Sequence, residues 1–116
     1  MLKSNQNITY TGDEMLEVLK EMNLILLSLH NMGSYYGEKF HQYGEEAYRG
    51  EYETETTRFI DEWEVTQRLA KVRKILSSKF DSTLGIDDMD DIERALEDIK
   101  YGQNPMTSQI HRHLIH

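Results

Sequence analysis

The sequence predicts an all-α protein, a compact bundle of about five helices forming a single domain over residues 1–116. Apolar residues recur at three- and four-residue spacing rather than two, the period of a helix and not of a strand. Helix formers dominate and the chain holds one Pro. With 116 residues it is long enough for one domain with a core of its own. The absence of Cys excludes disulfides and thiolate metal sites, and fits a reducing compartment.

The polar N-terminus, Met1-Leu2-Lys3-Ser4-Asn5-Gln6-Asn7, lacks the apolar stretch of a signal peptide. Residues 1–10 are therefore expected to be poorly ordered, ahead of the first helix. Thr11-Gly12-Asp13-Glu14 has the form of a capping box, with Thr and Glu three residues apart. Met15, Val18, Leu19, Met22, Ile25, Leu26 and Leu29 follow as one stripe, and Gly33 is the expected stop. The longest apolar run, Leu24-Ile25-Leu26-Leu27, is too short to span a bilayer. A soluble cytoplasmic protein is expected.

A second helix is expected over about 35–49, with Tyr36, Phe40, Tyr43 and Ala47 as its apolar edge. Gly37 and Gly44 fall inside it, each about 1 kcal/mol less favourable than Ala in a helix. They imply either a break or the close approach of another backbone, and Gly50 is the expected end. The third and longest helix is expected over about 52–80. Phe59, Trp63, Leu69, Val72 and Leu76 share its broad apolar face, and basic residues fill its C-terminal end. The first and third helices are expected to form the centre, burying Leu26, Leu29, Trp63, Leu69 and Leu76. A fourth helix begins near Asp87 or Asp88 and carries Met89, Ile92, Leu96 and Ile99. Asn104-Pro105 signals a short fifth, edged by Met106, Ile110 and Leu114.

Charge is segregated along the chain. Residues 35–64 carry nine acids against three bases, and residues 87–98 carry seven acids against Arg94 alone. Between these blocks, residues 68–79 hold Arg68, Lys71, Arg73, Lys74 and Lys79 with no acid. Salt bridging to the flanking acids is the expectation for this basic run. A net charge of −8 argues against general nucleic-acid binding, which needs cations for the phosphates.

Catalytic motifs are missing. There is no Gly-x-Ser-x-Gly and no phosphate loop, so the protein is not expected to be an enzyme. Glu38 and His41 have the Glu-x-x-His spacing of di-iron bundles, but no second pair exists. Aligning Gly85 with the glycine of an EF-hand puts Phe80, Ser82 and Leu84 at ligand positions, which excludes that motif. Acids 87–98 read better as helix-start residues. His111, His113 and His116 cluster near the end of the sequence, where metal binding is adventitious, and His30 suits a helix C-terminus. No cofactor and no metal are expected.

Five of the seven tyrosines lie in the first acidic block. Tyr36, Phe40 and Tyr43 fit a core stripe. Tyr35, Tyr48 and Tyr52 fall off it, alongside Glu45, Glu46, Glu51, Glu53 and Glu55. The candidate partner-binding surface is therefore Tyr43, Glu45, Glu46, Tyr48, Glu51, Tyr52, Glu53 and Glu55. Tyrosine gives contact area at small entropic cost, and carboxylates speed encounter with a cationic protein.

The segment Glu45-Glu46-Ala47-Tyr48-Arg49-Gly50-Glu51-Tyr52-Glu53, on a small, acidic, cysteine-free chain, resembles bacterial immunity proteins of nuclease toxin systems. Those of the colicin and contact-dependent inhibition type are meant. The resemblance is one of size, charge and texture. It implies a tight complex with a basic cognate toxin, inhibition by covering the active-site region, and neither catalysis, direct nucleic-acid binding nor a membrane role. The alternative is a non-catalytic helical adaptor or regulator that self-associates through its glycine-marked helix. A small metal-dependent helical enzyme is a distant third.

Overall fold

A computed structural model describes residues 1–99; the fifth helix expected beyond Asn104 and the three terminal histidines lie outside them. Among the described residues there are four α-helices, one short 3-10 helix and no strand. The all-α class holds. The expected packing into a compact five-helix bundle is replaced by a different arrangement. The chain divides into two compact units, Thr9–Lys79 and a second made of Met1–Ile8 with the chain from Phe80 onward.

The Thr9–Lys79 unit contains α1 (Gly12–Tyr43), α2 (Glu45–Glu62) and α3 (Val65–Ser77). α1 opens on the expected capping box: Glu14 N–H donates to Thr11 Oγ1 at 3.1 Å, and Thr11 N–H donates to Glu14 Oε1 at 2.8 Å. It then runs 32 residues, about 48 Å, straight through Gly33 and Gly37. The expected stop at Gly33 and the separate helix 35–49 are thus corrected. Nothing lies within 4 Å of a Cβ built at either glycine, so neither admits a close backbone from its own chain. The real break is Gly44, at φ 87 and ψ 151, a conformation essentially reserved for glycine.

α2 and α3 return antiparallel along α1. Glu14 pairs with Lys79, Glu17 with Lys71 and Glu21 with Arg68, so rising numbers on α1 meet falling numbers on α3. Among the described residues, Arg68, Lys71 and Lys79 of the basic run thus pair with acids of α1, where salt bridging to the flanking acidic blocks was expected. Glu21 is nearly buried between Arg68 at 3.1 Å and Lys71 at 3.6 Å. The expected long third helix is broken at Glu64, whose φ of 51 is left-handed. Arg68 compensates, donating its Nε–H to the freed Trp63 carbonyl at 2.7 Å.

The hairpin core is thin. Val18, Ile25, Tyr36, Phe59 and Val72 are its buried apolar residues, and no side chain is completely enclosed. The five residues expected to be buried, Leu26, Leu29, Trp63, Leu69 and Leu76, are all exposed. α1 turns Val18, Glu21, Ile25 and Tyr36 inward, one edge of its wide apolar stripe, and leaves the other edge uncovered.

In the other unit the N-terminus is held, contrary to the expectation for residues 1–10. Lys3–Asn5 forms the 3-10 helix. Buried Asn5 donates to Asp91 Oδ2 at 2.8 Å and to the Asp81 carbonyl at 3.0 Å, and accepts from Asp81 N–H at 2.7 Å. Leu2 N–H also donates to Asp91 Oδ2, at 2.8 Å. The fourth helix, α4, is shorter than expected, Asp91–Ala95. Asp88 at φ 60 cannot begin a helix, and Asp90 caps it in a second capping box with Glu93. Arg94 grips Asp87 at 2.7 and 2.8 Å and Asp91 at 2.8 Å.

Two predictions arise here. Gly44→Ala should destabilise by about 1–3 kcal/mol through left-handed strain. Gly50→Ala, inside α2 with open space around it, should stabilise by about 0.5–1 kcal/mol. Urea unfolding of both variants checks this, and equal midpoints would contradict the Gly44 turn.

The second concerns acid. Hydrogen bonds from Asn5 and Leu2 hold Asp91 below the ordinary aspartate value of 3.8, and the Arg94 guanidinium does the same for Asp87. Lowered folded values mean that the stabilisation is complete above pH about 4 and is lost as pH falls through the folded values. Protection of the Leu2 amide, measured against its intrinsic exchange rate at each pH, should fall over that acid range, and Asp91→Asn should lower it at neutral pH as well. Protection at Leu2 that persists in acid would count against the clasp.

Candidate partner-binding surface

The expected surface falls at the tip of the hairpin, where α1 ends, Gly44 turns the chain and α2 begins. Glu45 and Glu46 occupy the first turn of α2, where carboxylates are favoured by the helix dipole. α2 carries seven acids against Arg49 and Arg58.

The structure sorts the eight expected residues into four groups. Tyr43 is 60% exposed, and its ring meets that of half-buried Tyr48 at 5.7 Å. Lys39 Nζ sits over both rings, at 5.5 and 5.8 Å, and over Tyr35 at 5.5 Å. Lys39 is the residue that sequence reasoning missed. Its i, i±4 spacing to Tyr35 and Tyr43 was the available signal. Tyr52 belongs elsewhere. It packs inward between Tyr36, at 5.1 Å, and Phe40, at 5.8 Å, so it serves the α1–α2 contact rather than the surface. Tyr43, which fits the core stripe and also belongs to the expected surface, is on the surface.

The carboxylates also divide. Arg49 pairs with Glu45 and lies 4.0 Å from Glu53, while its guanidinium covers the Phe40 and Tyr52 rings. Glu55 pairs with Arg58 at 2.9 Å. Glu46 and Glu51 are exposed and make no ion pair among the described residues. Glu46 and Glu53, seven apart, share one face of α2, whereas Glu51 and Glu55, four apart, share another. The eight residues therefore ring the tip and do not form one flat patch. Burial raises the pKa of the Tyr36 hydroxyl, and the negative charges of Glu51 and Glu55 raise it further.

Chemically the tip can hold cations. Tyrosine faces already hold an ammonium there, and Glu45 and Glu46 form the first turn of α2 directly after Gly44. Glu38 and His41 are exposed on the last turns of α1. Among the described residues, no three His, Asp or Glu side chains come together as metal ligands. Nor is any helix among them long and apolar enough to cross a membrane. Compared with models of protein families, with curated proteins and with solved structures, the chain finds no match.

Proposed function

We propose that this protein is an acidic helical binding module that captures a basic protein at its hairpin tip. In its specific form it is an immunity protein, covering the active-site region of a cognate nuclease toxin in the bacterial cytoplasm. The observation that carries the reading is the exposed Tyr43 ring, set against half-buried Tyr48 beneath the Lys39 ammonium, at a hairpin tip where Glu46 and Glu51 are exposed and make no ion pair among the described residues. A basic side chain of the partner fits where Lys39 now lies, over the rings and within reach of the acids. The strongly acidic α2 would attract such a partner at a distance.

The test uses the purified product of the adjacent upstream gene, since an immunity gene directly follows its toxin gene. Binding kinetics are recorded at low and high salt alongside a nuclease assay. The expected result is stoichiometric inhibition with association that slows steeply as salt rises. An absence of binding, or association indifferent to salt, would remove the reading.

A further inference from the structure

The uncovered apolar edge of the hairpin is a surface in its own right. Leu19, Met22, Leu26 and Leu29 of α1 each follow an inward-facing residue (Val18, Glu21, Ile25, Ser28) by one position. Leu69 and Leu76 of α3 likewise follow Arg68 and Ile75, which face α1. One position is 100° of rotation in the direction of winding. Antiparallel helices seen from one end wind in opposite senses, so both sets fall on the same side of the hairpin. Leu26 is 64% exposed, Leu19 and Trp63 52%, and Leu69 49%. Between Met15 and Gly37 the α1 part of this side carries no charge. Gly33 lies on it with open space above its Cα.

We propose that this face docks against the same face of a second copy of the chain, the two hairpins lying antiparallel. Three observations select that occupant. The residues that the sequence pattern marks as core are the exposed ones, and the single hairpin encloses no side chain completely. A bundle of two hairpins supplies the missing layer. The exposed Leu, Met and Trp side chains offer on the order of 600 Å2 per copy, roughly 1,200 Å2 for two, which reaches the range of stable interfaces. Charge then sets the direction. Arg68 and Lys71 are held by α1, but Arg73 follows buried Val72 by one position, stands on this side of α3 and makes no ion pair among the described residues, while α2 holds seven acids against two bases. An antiparallel two-fold pair places α3 of each copy over α2 of the other, matching opposite charges; two-fold symmetry also makes the interface self-complementary. This inference is independent of the proposed capture of a basic protein.

The test is sedimentation equilibrium of the full chain from about 1 to about 100 μM. A concentration-dependent dimer is expected. Leu26→Lys and Leu69→Lys should each shift it to monomer by at least about tenfold in Kd, with unchanged far-UV helicity because both sites are exposed within the hairpin. Leu27→Lys, equally exposed but on another face of α1, should leave the dimer intact. Raising salt should weaken association. A monomer throughout the range would overturn the proposal and assign the face to another segment or a different protein. Open-ended aggregation, or a Leu27→Lys effect equal to that of Leu26→Lys, would overturn it too.

Discussion

Phe59→Ala should destabilise the protein by about 3–5 kcal/mol, the largest loss expected from truncating a single side chain. Phe59 is the one buried residue of α2 and faces α1, so its removal leaves a cavity in a core that has few other members. Against a typical domain stability of about 5–15 kcal/mol, this removes much of the total. Leu26→Ala is the informative contrast. The sequence stripe ranks Leu26 with the core, but the hairpin leaves it mostly exposed. At concentrations where the chain is monomeric, its truncation should therefore cost no more than about 1 kcal/mol. Urea unfolding with an unchanged m-value separates the two. Equal losses in the monomer would mean that α1 presents a different edge to its neighbours.

Reversing Glu46, Glu51 and Glu53 together to Lys should slow association with the basic partner by about 10- to 100-fold at low salt. Six units of charge change at the tip while all three side chains are exposed, so helicity and melting should stay close to the parent. Tyr43→Ala and Tyr48→Ala should act on dissociation instead, each costing about 1–4 kcal/mol of binding if the ring is covered in the complex. Tyr52→Ala divides surface from core. Its ring lies against Tyr36 and Phe40, so stability should fall while the association rate holds. Binding kinetics and melting on the same four variants decide the matter. A triple reversal without effect on association would move the interface away from the tip, with acids 87–98 as the next candidate.

Local chemistry made part of this molecule legible. The three- and four-residue spacing required helices, and Thr11 with Glu14 required a helix start where one occurs. The acid-rich tyrosine segment was visible as a candidate surface for the same reason: charge and residue type are properties of the chain itself. Other features depended on which groups the fold brought together. Gly33 and Gly37 looked like breaks, yet each penalty is about 1 kcal/mol and the packing of Tyr36, Phe40 and Tyr52 across α1 and α2 outweighs it. The bend at Glu64 carries no Gly or Pro to announce it, and rests on Arg68 reaching the Trp63 carbonyl. The place of Asn5 depended on Asp81 and Asp91, far along the chain.

Residue type and spacing dictate the helical class, the first cap and the distribution of charge. Which apolar edge turns inward depends on how α1 packs against α2 and α3. An apolar stripe holding Val18 and Ile25 beside Leu19 and Leu26 is wider than one neighbouring helix can cover. Position in the stripe therefore cannot distinguish core from surface, and the choice falls to the ion pairs of Glu17 and Glu21 with α3 and the aromatic contacts at the tip. Those fix the rotation of α1 and leave its leucine edge exposed.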